Sequence, residues 1–179
     1  MSNLDWFKYD WVWVKSRTAG FLNAKNAPLK KHEIISVFSS GNAANTDKNR
    51  MPYFPQGLEE INEKRMSVQC ADDTVVGNRP SRKKEYMAKY RGFPDSILNF
   101  GNEPKQSHPT QKPVALLEYL IRTYTIEGET VLDNTMGSGS TGVAALRMGR
   151  DFIGIEKDPG YFEIAQQRLE ECQSQTRLE

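Results

Sequence analysis

Residues 131–158 read VLDNTMGSGSTGVAALRMGRDFIGIEKD. A short apolar run ends in a carboxylate at Asp133. Gly137, Gly139 and Gly142 then interrupt the pattern where a helix should begin. Val143 to Met148 is helix-compatible, and Gly149 is placed to end that helix. Phe152 to Ile155 is a second buried-looking strand, closed by Glu156. The order strand, glycine turn, helix, strand, carboxylate is half of a nucleotide-binding α/β unit. Its glycines let backbone approach a ligand closely, and Glu156 falls where a carboxylate accepts hydrogen bonds from two ribose hydroxyls. The plainer alternative is a tight strand-to-helix connection without a ligand. No lysine follows Gly142, which excludes a phosphate-cradling P-loop. The acidic residue after the second strand favours an adenosine-type cofactor without a tight phosphate site.

The length of 179 residues suits one domain with a real core. The formal net charge of +1 does not announce a polyanion partner, but the distribution of charge keeps one in view. Between Trp11 and His32 every charged residue is basic: Lys15, Arg17, Lys25, Lys30 and Lys31. Arg79, Arg82, Lys83, Lys84, Lys89 and Arg91 form a second basic run that holds one acidic residue, Glu85. Each run is otherwise a solvated surface. Cys70 and Cys172 lie far apart without metal-ligand spacing and read as thiols of a reducing compartment. No signal peptide and no membrane-length apolar run is found, so a soluble, cytoplasmic chain is expected.

In chain order, Trp6, Phe7, Tyr9, Trp11 and Trp13 crowd the start, and Tyr9 to Val14 reads as a strand that belongs inside a sheet. Ser16 to Lys31 reads as a polar loop with Phe21 and Leu22 as apolar anchors, leading to a strand at Ile34 to Phe38. The two strands of residues 1–38 are expected to pair antiparallel. Residues 39–107 carry five prolines and little periodicity, and read as an irregular insertion. Tyr86 and Tyr90 interleave its basic run, a pattern suited to phosphates and bases. From His108 to Thr125 a helix is expected, capped by Thr110, with Pro113 in its first turn. Val114, Leu117, Leu120, Ile121 and Tyr124 are its core face. Pro159 to Cys172 reads as a final amphipathic helix.

HPTQKP, then VLDNTMGSGSTG, then FIGIEKD, in that order, resembles the DNA amino-methyltransferases, which move a methyl group from S-adenosylmethionine to adenine N6 or cytosine N4. The order is similar to the β arrangement, with a target-recognition region before the cofactor motifs. The resemblance implies a partial Rossmann-like α/β fold of the S-adenosylmethionine-dependent methyltransferases, with residues 39–107 as target-recognition insertion and 108–179 as cofactor-binding part. It implies that Asp133, Thr135, Met136, Gly137, Ser138 and Gly139 wrap the cofactor and that Glu156 holds its ribose. Thr110 and Lys112 would lie near its amino-acid end. Where the family often has Phe in the cofactor loop, this chain has Thr135. The basic residues of both runs are expected to face the phosphates of double-stranded DNA.

One departure bears on activity. The family's catalytic tetrapeptide, Asp-Pro-Pro-Tyr with Asn or Ser as alternatives to Asp, binds the target amino group and stacks on the flipped base. It does not occur in this sequence. In the β order it precedes the aromatic strand, so the chain is expected to start inside the family pattern. The family's sheet runs 3-2-1-4-5-7-6. This chain is expected to supply strands 6, 7, 1 and 2 and to lack central strands. A second chain carrying the catalytic half, or a homodimer, would then cover the open edges.

Overall fold

The computed structural model describes residues 4–44, 48–66, 85–103 and 110–176. Two compact units are present: Met1–Phe54 with Asp95–Glu179, and Pro55–Pro94.

The first unit is built on β1 (Phe7–Ala19), which pairs antiparallel with β2 (Lys30–Phe38). The expected pair therefore forms, with a connecting loop shorter than read from sequence because β1 runs on to Ala19. Phe21 and Leu22 do not anchor that loop; both are exposed on a 3-10 turn. Alternation along β1 puts Trp11 and Trp13 on one face, where both are buried. Each indole N–H finds an acceptor, Tyr124 Oη at 2.5 Å and the Phe100 carbonyl at 2.8 Å. Burial of two tryptophans therefore leaves no orphan donor.

The stretch read as irregular carries three strands. β3 (Glu59–Met66) and β4 (Glu85–Arg91) form an antiparallel ribbon, which is the second unit. Their faces are mostly polar, so little apolar periodicity announced them. β5 (Ile97–Asn99) returns to the first unit and pairs parallel with β1, giving a sheet of order β2-β1-β5.

Next comes α1 (Val114–Tyr124). Pro113 occupies its N-cap position, and Thr110 does not cap it. The Val114 N–H is instead satisfied by the Glu103 carboxylate at 3.0 Å. The helix has two apolar faces, not one. Leu116, Tyr119, Leu120 and Tyr124 pack with Trp11, Trp13 and Leu98. Val114, Leu117 and Ile121 pack with Ala144 and Ala145 of the following helix. It is the wedge between the three-stranded sheet and the remainder of the unit.

That remainder is β6 (Thr130–Asp133), α2 (Ser140–Arg147), β7 (Asp151–Gly154) and α3 (Pro159–Thr176). β6 and β7 pair parallel from Thr130↔Asp151 to Asp133↔Gly154. α2 begins three residues earlier than read from sequence, and α3 continues four residues further. Val131 and Phe152 face α2, while Leu132 and Ile153 are more than half exposed on the other side. The β6–β7 pair is not hydrogen-bonded to the β2-β1-β5 sheet. This is a mixed α/β structure with partial sheets and, among the described residues, three α-helices. None of them is long and apolar enough to cross a membrane.

Candidate functional site

The turn from β6 to α2 is shaped by two carboxylates. Asp133, the last residue of β6, accepts the Thr135 N–H at 3.0 Å and the Thr141 hydroxyl at 2.6 Å. Glu156, just past β7, accepts the Gly137 N–H at 2.8 Å and those of Lys157 and Asp158 at 2.9 Å each. The Asp158 and Gly137 N–H groups hold its carboxyl below the usual glutamate range, with Lys157 adding to the effect. The Gly139 N–H closes the turn on the Met136 carbonyl at 2.9 Å. Gly139 has φ +76°, and a Cβ there would stand 2.9 Å from that of Ala165. Only glycine satisfies both conditions at once.

Against this turn lies the segment before α1. A cavity of about 220 Å³ is lined by Thr110, Gln111 and Lys112 on one side. Asp133, Thr135, Met136, Gly137 and Ser138 line the other. Seven residues singled out from sequence thus converge on one hollow. Gly139 and Glu156 shape the turn without lining the hollow. Gln111, Leu117, Ser140 and Thr141 also line it and were not singled out. Gln111 sits inside HPTQKP and was legible there; Thr141 was not, because its hydroxyl bond to Asp133 exists only once the turn is folded. Small ligand pockets run from roughly 300 Å³ upward, so this hollow suits one end of a nucleotide-sized molecule. It offers polar groups of both signs and no cluster of basic residues, which fits an amino-acid moiety better than a polyphosphate.

Lys112 carries a second set of contacts. Its Nζ lies 2.9 Å from Glu33 Oε2 and 5.9 Å from the centroid of Trp13. Lys15 also pairs with Glu33, and its Nζ stands 5.5 Å from the same ring. Burial alone would raise the Glu33 carboxyl, but the two ammonium groups outweigh it and hold it below the ordinary range.

The basic residues are distributed unevenly. Lys15 is ion-paired and partly covered, while Arg17, Lys25, Lys30 and Lys31 are exposed along β1, β2 and their connection. On β4, Lys89 is exposed, and Arg91 meets Glu59 at 2.6 Å. Arg79, Arg82, Lys83 and Lys84 lie outside the described residues. In the ribbon, Glu59, Glu60, Glu63 and Glu85 balance Lys64, Arg65, Lys89 and Arg91. Tyr86 and Tyr90 are half exposed and share one face of β4.

The family model N6_N4_Mtase, described as DNA methylase, matches residues 2–167. A Type II methyltransferase, M2.DpnII of Streptococcus pneumoniae, is 56% identical over 63 residues, which is 35% of this chain and 24% of the relative. M2.LlaDCHI of Lactococcus lactis subsp. cremoris is 52% identical over 62 residues, covering 35% of this chain and 23% of the relative. Among solved structures, that of an M1.HpyAVI–SAM complex aligns with TM-score 0.54 and 26% identity, over 91% of this chain and 62% of the other. The PvuII cytosine-N4-specific DNA methyltransferase aligns with TM-score 0.58 at 16% identity, over 94% of this chain and 56% of the other, a likeness of fold alone. The matched stretches span about a quarter of the length of these curated relatives. A two-strand, glycine-turn unit wedged by α1 against an aromatic sheet, matched by that family along nearly its whole length, places the chain among the DNA amino-methyltransferases.

Proposed function

We propose that this chain is the cofactor-binding and target-recognition part of a β-order DNA methyltransferase that uses S-adenosylmethionine to methylate adenine N6 or cytosine N4. The observation that carries it is the convergence of the Thr110–Lys112 segment and the Asp133–Ser138 turn on one hollow. The amino-acid end of the cofactor would lie there. Thr110, Lys112, Thr135 and Met136 would contact it, Gly137, Ser138 and Gly139 would set the turn beneath it, and Asp133 would keep that turn's shape. Glu156 would meet the ribose. When bound, the cofactor supplies an electrophilic methyl group; the chain's own residues bind and orient it. The M1.HpyAVI relative, solved with SAM, supports the choice of cofactor.

Double-stranded DNA would meet the exposed Arg17, Lys25, Lys30 and Lys31, and the second run from Arg79 to Arg91, with Tyr86 and Tyr90 available for stacking. Residues 39–107 would serve target recognition, and the role fits a restriction–modification system.

The chain is not expected to turn over alone. Methyl transfer needs the target amino group held in line with the sulfonium methyl. The tetrapeptide that does so is not among these 179 residues. A segment beyond them, on the same or a second chain, would supply it; a homodimer of this chain would cover edges without adding it. A non-catalytic remnant is the second reading, favoured by that same sequence fact.

The experiment is a tritiated-methyl assay on mixed-sequence DNA, with the chain alone and with an added polypeptide carrying Asp-Pro-Pro-Tyr. Incorporation only after mixing is expected. Robust incorporation by the chain alone would overturn the proposed division of labour, and none in either case would favour the remnant.

A further inference from the structure

Arg168 belongs to α3, far in sequence from both walls of the hollow, yet its guanidinium reaches the glycine turn. Nη1 donates to the Ser138 carbonyl at 2.5 Å, to the Ser138 hydroxyl at 3.0 Å and to the Ser140 hydroxyl at 3.2 Å. Ser138 and Ser140 are both buried. The Ser138 hydroxyl in turn donates to Gln111 Oε1 at 3.2 Å, on the opposite wall. The peptide joining Ser138 to Gly139 is thus held at both ends, its oxygen by Arg168 and its N–H by the Met136 carbonyl.

The placement runs against simple electrostatics. Ser140 opens α2, and a cation beside a helix N-terminus opposes the helix dipole. A half-buried guanidinium also gives up hydration. A surface arginine of α3 would avoid both costs, so the side chain is there for the oxygens it holds. All three bonds leave Nη1, which the rigid guanidinium plane holds in place more firmly than a flexible lysine stem would hold an ammonium.

We propose that Arg168 is the positioning residue of the glycine turn. It sets the Ser138–Gly139 peptide and, through the Ser138 hydroxyl, couples the turn to Gln111. Both walls of the hollow are then in register before a cofactor arrives. The consequence for affinity rests on the cofactor placement proposed above; the effect on the turn does not.

The test uses the full chain, with S-adenosylhomocysteine as the probe. Amide hydrogen exchange is read first, without ligand. Arg168→Met keeps the aliphatic stem and removes the donors, and should speed exchange at amides 137–140 while leaving those of α1 unchanged. Calorimetry should then show binding weakened about tenfold, with Arg168→Lys in between. Unchanged exchange at 137–140 would overturn the proposal, as would faster exchange spread evenly over α1, α2 and β1. If Arg168→Met does not fold, Arg168→Lys and Ser138→Ala are read the same way, and wild-type exchange in both overturns it. Asp133→Ala is measured in parallel. If it binds the probe as wild type does, the cofactor placement fails, while the exchange result still decides what Arg168 does.

Discussion

Glu156 accepts three backbone N–H groups. A carboxylate has about four lone-pair sites, so roughly one remains for a ribose hydroxyl unless a backbone bond is exchanged. The side chain organises the turn first and offers itself to a ligand second. Glu156→Ala should therefore weaken S-adenosylhomocysteine binding by more than about tenfold, because turn and ligand contacts go together. Glu156→Gln keeps one acceptor oxygen and should fall between. Calorimetry on the three proteins decides this, and equal affinities would remove Glu156 from the site. The pH dependence follows from the lowered carboxyl. The stabilisation by its N–H partners is fully present above the ordinary glutamate value of about 4.3 and is lost only as pH falls through the lower folded value. Turn integrity should thus persist on acidification to about 4.3 and fail below it, and Glu156→Gln should lose that acid step. Amide exchange of Gly137 against pH would read it.

At the scale of elements, α1 and the start of α2 carry the architecture. α1 wedges two clusters apart, and α2 approaches α3 so closely that Gly139 meets Ala165. Gly139→Ala adds a Cβ at φ +76° and 2.9 Å from the Ala165 Cβ. Backbone strain and overpacking together should destabilise by about 2–4 kcal/mol. Gly20→Ala is the control. That residue has φ +94° with nothing within 4 Å of an added Cβ, so only strain applies, and about 1–2 kcal/mol is expected. Denaturant unfolding of both variants checks the difference. Equal losses would mean that the α2–α3 approach yields without cost.

For the whole molecule, the decisive feature is what the sheets leave open. Leu132 is 62% exposed and Ile153 54% exposed, on the face of β6–β7 turned away from α2, and Ile155, just past β7, is 54% exposed as well. Parallel strands of this kind are ordinarily covered on both faces. Among the described residues, β2 and β5 are the edges of the other sheet, the strands whose outer backbone is open to a further partner. The isolated chain should self-associate, and Leu132→Lys with Ile153→Lys should suppress this without abolishing the fold. Sedimentation velocity across a concentration series is the measurement. A wild-type chain that stays monomeric throughout would show that this face tolerates water.

The local units are legible in the order of residues alone. VLDNTMGSGSTG and FIGIEKD specify strand, turn, helix and strand because apolar period, glycine and terminal carboxylate all act over a few residues. The aromatic pair was legible for the same reason: alternation along Tyr9 to Val14 and Ile34 to Phe38 needs no distant partner to be read. The β3–β4 ribbon was hidden because charged residues on both faces of β3 erase the period of two, and on β4 only the short Tyr86, Ala88, Tyr90 face alternates with charge. Only tertiary structure could decide how α1 divides its apolar residues between two clusters, since both faces look alike in one dimension. It also decided that Glu103 caps α1, that Glu33 draws Lys15 and Lys112 to Trp13, and that Arg168 reaches Ser138. Each joins groups distant along the chain, and a hydrogen bond or ion pair depends on separation in space.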